Sequence, residues 1–219
     1  MDQAGQLQNG LAMLGIELDA SARRCLLDYV ALLQKWNKTF ALTALRDPEK
    51  AVSHHLLDSL AVLPFVTMDS LLDVGSGGGQ PGIPLAIARP DLRVTLLDSN
   101  SKKTAFLQQA IIELGLRNVT VHCGRVEHFA PSEPFAGIVS RAFAELADFV
   151  ALSAGVLRPD GRWLAMKGVW PHDEMARLPR SAEVVGVHRL AVPGVEGERH
   201  LVVLAKSGTT SRVSTGGGA

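Results

Sequence analysis

At 219 residues the chain is long enough for one large domain carrying a smaller extension. Its 47% hydrophobic and 20% charged residues supply a sizeable core and exclude disorder of the whole chain. The 22 basic and 22 acidic residues cancel, which excludes a global basic field that draws in naked nucleic acid by counterion release.

The N-terminus, polar at Asp2, Gln3, Gln6 and Gln8, does not read as a signal peptide. The most apolar-looking run, Ala142 to Leu157, is interrupted by Glu145 and Asp148 and falls short of the roughly 18 apolar residues a membrane span needs. A cytoplasmic protein without membrane contact is expected. Cys25 and Cys123 lie far apart with no partner at metal-ligand spacing, so both are expected to be small buried hydrophobes.

Leu26, Tyr29, Val30, Leu33, Trp36 and Phe40 recur at spacings of three and four, which predicts a helix near 20 to 38 with one buried stripe, capped by Asp19 or Ser21. Pro48 opens a second helix in which Val52, Leu56, Leu60 and Leu63 form the stripe, ending before Pro64. Residues 1 to 65 therefore read as a helical extension. From residue 70 short apolar runs alternate with helical stretches: Leu71 to Val74, Val94 to Leu97, Val119 to Val121, Gly137 to Val139 and Trp163 to Met166. Between them lie helices at Pro81 to Ala88, Lys102 to Leu114 with Gly115 as its stop, and Glu145 to Leu157. The alternation predicts βαβ units and a parallel sheet. Val184 to Leu190 and His200 to Ala205 add an antiparallel pair at the sheet edge. The second unit is thus residues 66 to 206, and the Ser, Thr and Gly residues from 207 to 219 read as a disordered tail.

The densest signal is Leu71-Leu72-Asp73-Val74-Gly75-Ser76-Gly77-Gly78-Gly79-Gln80-Pro81-Gly82, a strand running through a glycine loop into a helix. Glycines there let the backbone turn sharply and let a ligand approach peptide N–H groups without meeting a Cβ. Two ligands fit. Gly77, Gly79 and Gly82 satisfy the G-x-G-x-x-G pattern of dinucleotide binding, with Asp98 ending the next strand. In the register of a dinucleotide fold, however, the first glycine follows the strand directly; that is Gly75, and Gln80 then takes the third glycine's place. Asp73 just before it would repel a pyrophosphate, whereas it suits the positively charged methionine end of S-adenosylmethionine. Asp98 serves either ligand, as a carboxylate accepting from ribose hydroxyls. The expectation is a Rossmann-like α/β fold of the class I methyltransferase type, a mostly parallel seven-stranded sheet behind an N-terminal helical extension.

Beyond the loop, Leu32-Leu33-Gln34-Lys35-Trp36-Asn37, His55-Leu56-Leu57-Asp58-Ser59, Pro81-Gly82-Ile83-Pro84-Leu85, Leu97-Asp98-Ser99, Ser140-Arg141-Ala142-Phe143-Ala144, Lys167-Gly168 and Gly197-Glu198-Arg199-His200-Leu201-Val202-Val203 form a distinctive set. Through these strings the chain resembles, from about Leu14 to Lys206, the RsmG family, ribosomal RNA small subunit methyltransferase G, also called glucose-inhibited division protein B. The resemblance implies methylation of ring nitrogen 7 of a guanosine in the decoding-region loop of 16S ribosomal RNA, within the small subunit or an assembly intermediate, by a monomer using S-adenosylmethionine. It also implies cofactor contacts at Gly75, Gln80, the pair Val126-Glu127, and Arg141, with Arg141 the catalytic candidate. Asp73, Gly77, Gly79 and Asp98 join the cofactor set from the loop and the wider fold. Gln80 stands where relatives often carry an apolar residue, so its contact is expected through the backbone. His54 stands where many relatives carry Arg beside the His of His55, which weakens the case for a phosphate clamp at this position.

Guanine nitrogen 7 carries an in-plane lone pair, so in-line attack on a sulfonium methyl needs no general base. In keeping with that chemistry, no Asn-Pro-Pro-aromatic string follows the fourth strand, and no cysteine stands there for attack on a pyrimidine. Adjacent helical residues project about 100° apart, so His54 and His55 do not read as a metal pair. Trp36 and Trp163 read as core and Trp170 as the more open case. Lys38, Arg46, Lys102, Lys103, Lys167 and Arg199 are candidates for a local phosphate-binding rim, or for ordinary surface solvation. Arg141 itself has an alternative as half of an ion pair. A small-molecule or protein methyltransferase shares the cofactor logic, and a non-enzymatic nucleotide-binding module remains a third reading.

Overall fold

The computed structural model describes residues 2–45, 47–141, 143 and 145–208. Arg46 of the expected rim, Ala142 and Ala144 of the Arg141 string, and the tail from 209 lie outside the described residues. Seven strands form one sheet: β1 (Ser70–Val74), β2 (Arg93–Asp98), β3 (Val119–Cys123), β4 (Phe135–Ser140), β5 (Leu157–Lys167), β6 (Ala182–Arg189) and β7 (His200–Lys206). Their spatial order is β3-β2-β1-β4-β5-β7-β6. The first five run parallel, and β7 inserts antiparallel between β5 and β6. The edge pair expected from the sequence is therefore present, with β7, the last strand among the described residues, on the inside.

Helices α4 (Gly82–Ala88), α5 (Ser101–Glu113) and α6 (Leu146–Ser153) follow β1, β2 and β4, and a short α7 (His172–Ala176) follows β5. Alternate strand residues feed the two sheet faces. Leu71, Leu96, Val139, Leu164 and Leu201 belong to one buried cluster, and Leu72, Leu97, Ile138, Trp163 and Val202 to the other. Trp163 is fully buried and donates its indole N–H to Ser153 Oγ at 2.9 Å, so its one polar atom is satisfied inside the core. Trp36 is half-buried and packs at 5.6 Å against Phe106.

Among the described residues the N-terminal segment is more finely divided than the two helices the sequence suggests. Helix α1 (Gln3–Leu14), capped by Asp2 and stopped by Gly15 at φ 67°, was not expected as a separate element. Its buried face is narrow, made of Leu7, Gly10 and Leu11. Helix α2 (Ala20–Phe40) takes Asp19 as its cap through the Ala22 N–H. The segment opened by Pro48 is not a regular α-helix. A 3₁₀ turn (Pro48–Lys50) leads into a π-helical stretch (Val52–Leu57) and then α3 (Asp58–Leu60), with Pro64 inside a further 3₁₀ turn. Leu7, Leu26, Leu56 and Leu60 share a core cluster with sheet residues Leu71 and Leu164, so these helices pack onto the sheet. Of the cysteines, Cys25 is half-buried, but Cys123 is exposed at the end of β3, against the expectation of burial. Among the described residues no helix is long and apolar enough to cross a membrane.

Candidate functional site

Strand β1 stops at Val74 because Gly75 turns the chain at φ 74°, followed by Gly77 at 57° and Gly79 at 98°. All three values lie in the left-handed region that favours glycine. The loop is pinned to β2. The N–H of Gly75 donates to Leu97 O at 2.8 Å, Ser76 Oγ accepts from Leu97 N at 3.0 Å, and the N–H of Gly77 donates to Asp98 Oδ2 at 2.9 Å. Beside it lies a cleft of about 400 Å³ whose wall includes Gly75, Asp98, Val126, Glu127 and Phe143. That volume suits a small organic cofactor. It sits outside the carboxyl ends of β1, β2 and β3, where ligands of open parallel sheets bind.

The expected residues divide into three groups. Gly75, Asp98, Val126 and Glu127 meet at the cleft although they come from three separate connections. Val126 and Glu127 sit on a 3₁₀ turn (Val126–His128) after β3, facing Asp98 at the end of β2. Gly77, Gly79, Gln80 and Asp73 support the loop. A Cβ on Gly79 would stand 2.6 Å from Ile83 Cδ1, so this glycine permits tight packing of the loop on α4 rather than opening the cleft. The Gln80 side chain is buried. Its Nε2 donates to the Tyr29 hydroxyl at 2.5 Å, and its Oε1 accepts from Arg141 Nη2 at 3.3 Å. Tyr29 in turn donates to Gly78 O at 2.6 Å. The side chain, not only the backbone, therefore holds the loop.

Asp73 lies beneath the loop with 0% exposure. Its Oδ2 accepts the Gly82 N–H at 2.9 Å, while Oδ1 has no partner among the described residues. Burial pushes its carboxyl up to about 7, opposed by the Gly82 bond and the charge of Arg141. Gly82 is needed here, since a Cβ would come within 2.8 Å of Asp73 Oδ2. A buried carboxylate oxygen left unpaired under a glycine loop fits a cofactor with a cationic end. Gly75 and Asp98 line the cleft, and Asp73 lies buried beneath the loop that forms its edge.

Arg141 does not line this cleft. It borders a neighbouring cavity of about 350 Å³, together with His54, His55, Asp58, Lys167, Arg199 and His200. The π-helical turn explains its placement. The N–H of Asp58 bonds to Ser53 O, five residues back, and the carbonyl of His54, which an α-helical Asp58 would take, accepts Arg141 Nη1 at 3.1 Å. Arg141 also pairs with Asp58 at 3.2 Å, so the ion-pair alternative is realised, and its link to Gln80 ties it to the loop as well. His55 is buried, and burial and the nearby Arg141 lower its pKa to about 4, which leaves it neutral near pH 7. His54 instead contacts Ser53 Oγ through Nδ1 at 2.8 Å. Of the expected rim, Lys167 is nearly buried and pairs with Glu174, Arg199 pairs with Asp58, and Lys103 stands 3.9 Å from Asp98.

Sequence reasoning did not single out Asp58, Tyr29 or Phe143. Asp58 had a legible signal, a carboxylate between leucines of an apolar stripe, which calls for buried partners. Phe143 had none, because its place on the cleft depends on how the chain leaves β4.

The model of the family described as rRNA small subunit methyltransferase G matches residues 23–202. A protein of that name from Neisseria meningitidis serogroup A is 57% identical over 208 residues, covering 94% of this chain and all of the relative. Its namesake from Marinobacter nauticus is 54% identical over 203 residues, 93% of this chain and 95% of the relative. Among solved structures, the glycopeptide N-methyltransferase MtfA complexed with S-adenosyl-L-homocysteine aligns with a TM-score of 0.61 at 13% identity, covering 69% of this chain and 87% of that one. A putative O-methyltransferase from Klebsiella pneumoniae aligns at 0.57 and 14% identity, covering 90% and 94%. These structural likenesses establish the fold as that of class I S-adenosylmethionine-dependent methyltransferases.

Proposed function

The chain belongs to the rRNA small subunit methyltransferase G family, and from that premise we propose that it methylates ring nitrogen 7 of a guanosine in the decoding-region loop of 16S ribosomal RNA. The observation that carries the reading is the pair of adjacent openings at the carboxyl edge of the sheet, one shaped by Gly75, Asp98, Val126 and Glu127 and the other by Arg141. When bound, S-adenosylmethionine supplies an electrophilic methyl group carried on a sulfonium.

The residues present bind and align. Asp98 offers its carboxylate to ribose hydroxyls while two backbone N–H groups, from Gly77 and Asn100, hold it in place. Val126 supplies an apolar wall for an adenine, Glu127 lies beside it, and Gly75 presents bare backbone. Asp73, buried beneath the loop, places a carboxyl group below the end of the site that takes the cationic part of the cofactor. Arg141 stands between the loop and the second cavity, where it orients the acceptor. Guanine nitrogen 7 gives up no proton on methylation, so the neutral His55 in that cavity has no base to play, and alignment with exclusion of water carries the reaction.

The enzyme is read as a cytoplasmic monomer acting on the small subunit or an assembly intermediate. Zero net charge supports a substrate larger than free RNA, because few counterions are released and shape must supply recognition. Tritiated methyl incorporation on unmodified small subunits and on protein-free 16S RNA, over a salt series, tests this. Faster reaction on subunits is expected. Equal or faster reaction on naked RNA removes the subunit requirement, and label away from guanine nitrogen 7 removes the assigned target.

A further inference from the structure

The second cavity has an imbalance of charge that transfer of a methyl group to a neutral base does not use. Lys167 is neutralised by Glu174 at 2.6 Å. Among the described residues, what remains is two guanidiniums on one carboxylate: Arg141 Nη1 lies 3.2 Å from Asp58 Oδ2, and Arg199 Nε lies 3.0 Å from Asp58 Oδ1. Asp58 is 4% exposed, whereas the Arg141 and Arg199 side chains are 31% and 28% exposed. Each carboxylate oxygen fixes one guanidinium, and both cations stay within reach of a ligand.

Donors remain for that ligand. Arg141 spends Nη1 on His54 O and Asp58 and Nη2 on Gln80; Arg199 spends Nε on Asp58 and Nη1 on Glu198 O. Arg141 Nε and Arg199 Nη2 have no partner among the described residues. A neutral ligand would leave the excess positive charge facing low-dielectric walls, while a monoanion balances it. Forked guanidinium donors match phosphate oxygens. Next to the cavity, on the segment after β5, Trp170 is 48% exposed and stands edge-on to His200 at 5.3 Å. An exposed indole beside a cationic recess is the combination that holds single-stranded nucleic acid, by backbone charge and base stacking together.

We propose that this cavity seats one backbone phosphate of single-stranded RNA between Arg141 and Arg199, with Asp58 as their shared positioning residue and Trp170 as the stacking platform for an adjoining base. The proposal rests on the RNA-methylating function and adds to it the place where the strand is gripped.

The test measures methyl transfer to small subunits by the full chain over a salt series, with S-adenosylmethionine affinity as the check on folding. Each phosphate contact on a single strand contributes about 0.7 to the slope of log affinity against log salt. Arg199→Gln is expected to lower the slope of log kcat/KM by about that amount and to raise KM, with cofactor affinity unchanged. Arg199→Lys, which keeps the charge and the Asp58 pair, is expected to retain the slope. Trp170→Ala, a surface change that spares the core, is expected to raise KM at least about fivefold at unchanged slope. A wild-type slope for Arg199→Gln, or a wild-type KM for Trp170→Ala, overturns the proposal. If Arg199→Gln fails to bind cofactor, Trp170→Ala still decides. Wild-type enzyme that labels no RNA at all sinks the functional reading instead, a result distinct from these.

Discussion

Replacing Asp73 by Asn should make the ligand-free protein more stable at alkaline pH and a poorer binder of S-adenosylmethionine. Asp73 has an ordinary value of 3.8 and is raised to about 7 by burial, so the folded state holds its proton more tightly than the unfolded chain does. The sign follows from linkage: stability is unaffected below the unfolded value, falls as pH rises between about 4 and 7, and stays low above that. The full penalty is about 4 kcal/mol, of which about 3 develops between pH 5 and pH 8. Asn keeps an oxygen for the Gly82 N–H but buries an amide with no partner, costing about 1–3 kcal/mol at every pH. The variant should therefore gain on the wild type by about 3 kcal/mol between pH 5 and pH 8, measured by urea denaturation without cofactor. Calorimetry should show wild-type cofactor affinity rising with pH through about 7, as a cationic ligand draws the carboxyl back to its charged form, and the variant lacking that rise. A stability difference independent of pH, or equal cofactor affinity at pH 8, would refute the reasoning.

Gly75→Val should abolish cofactor binding by calorimetry while the protein stays folded, at a cost of about 1–2 kcal/mol for the left-handed backbone it must adopt. Gly79→Ala should show the reverse emphasis: its Cβ meets Ile83 inside the fold, so a loss of about 1–3 kcal/mol in thermal or denaturant stability is expected beyond any change in affinity. Arg141→Ala should lower kcat/KM on small subunits at least about tenfold, more than its loss of stability accounts for, because Asp58 retains Arg199. Wild-type turnover together with wild-type cofactor affinity would reduce Arg141 to an ion-pair partner.

The strand-loop-helix unit was legible because its signals are local. Leu71 to Val74 is apolar but for Asp73 and buried throughout, as a strand covered on both faces is, and Gly75, Gly77 and Gly79 mark where the backbone turns left-handed. The antiparallel pair at the end followed likewise from two apolar runs joined by a turn-rich connection. The π-helical stretch was not legible. Val52, Leu56 and Leu60 keep nearly the same spacing in either helix, and the choice between them rests on how backbone groups pair after the segment packs. The exposure of Cys123 escaped for a related reason, since β3 lies at the sheet edge and only the assembled order leaves its end uncovered.

By itself the sequence determined the strands and the glycine loop and nominated residues to serve S-adenosylmethionine, because propensity, periodicity and positive-φ turns act over a few residues. Tertiary structure decided which of those residues share a wall. Asp98, Val126 and Glu127 meet Gly75 only because β1, β2 and β3 lie side by side, so their carboxyl ends open on one cleft. Arg141 and Arg199 meet Asp58, positions 83 and 141 residues from them, because inserting β7 beside β5 carries Arg199 to the edge that Arg141 reaches from β4. Contacts across such separations depend on strand order, which no short stretch of residues encodes, and a buried carboxylate accepts two guanidiniums only where the whole fold has brought both to it.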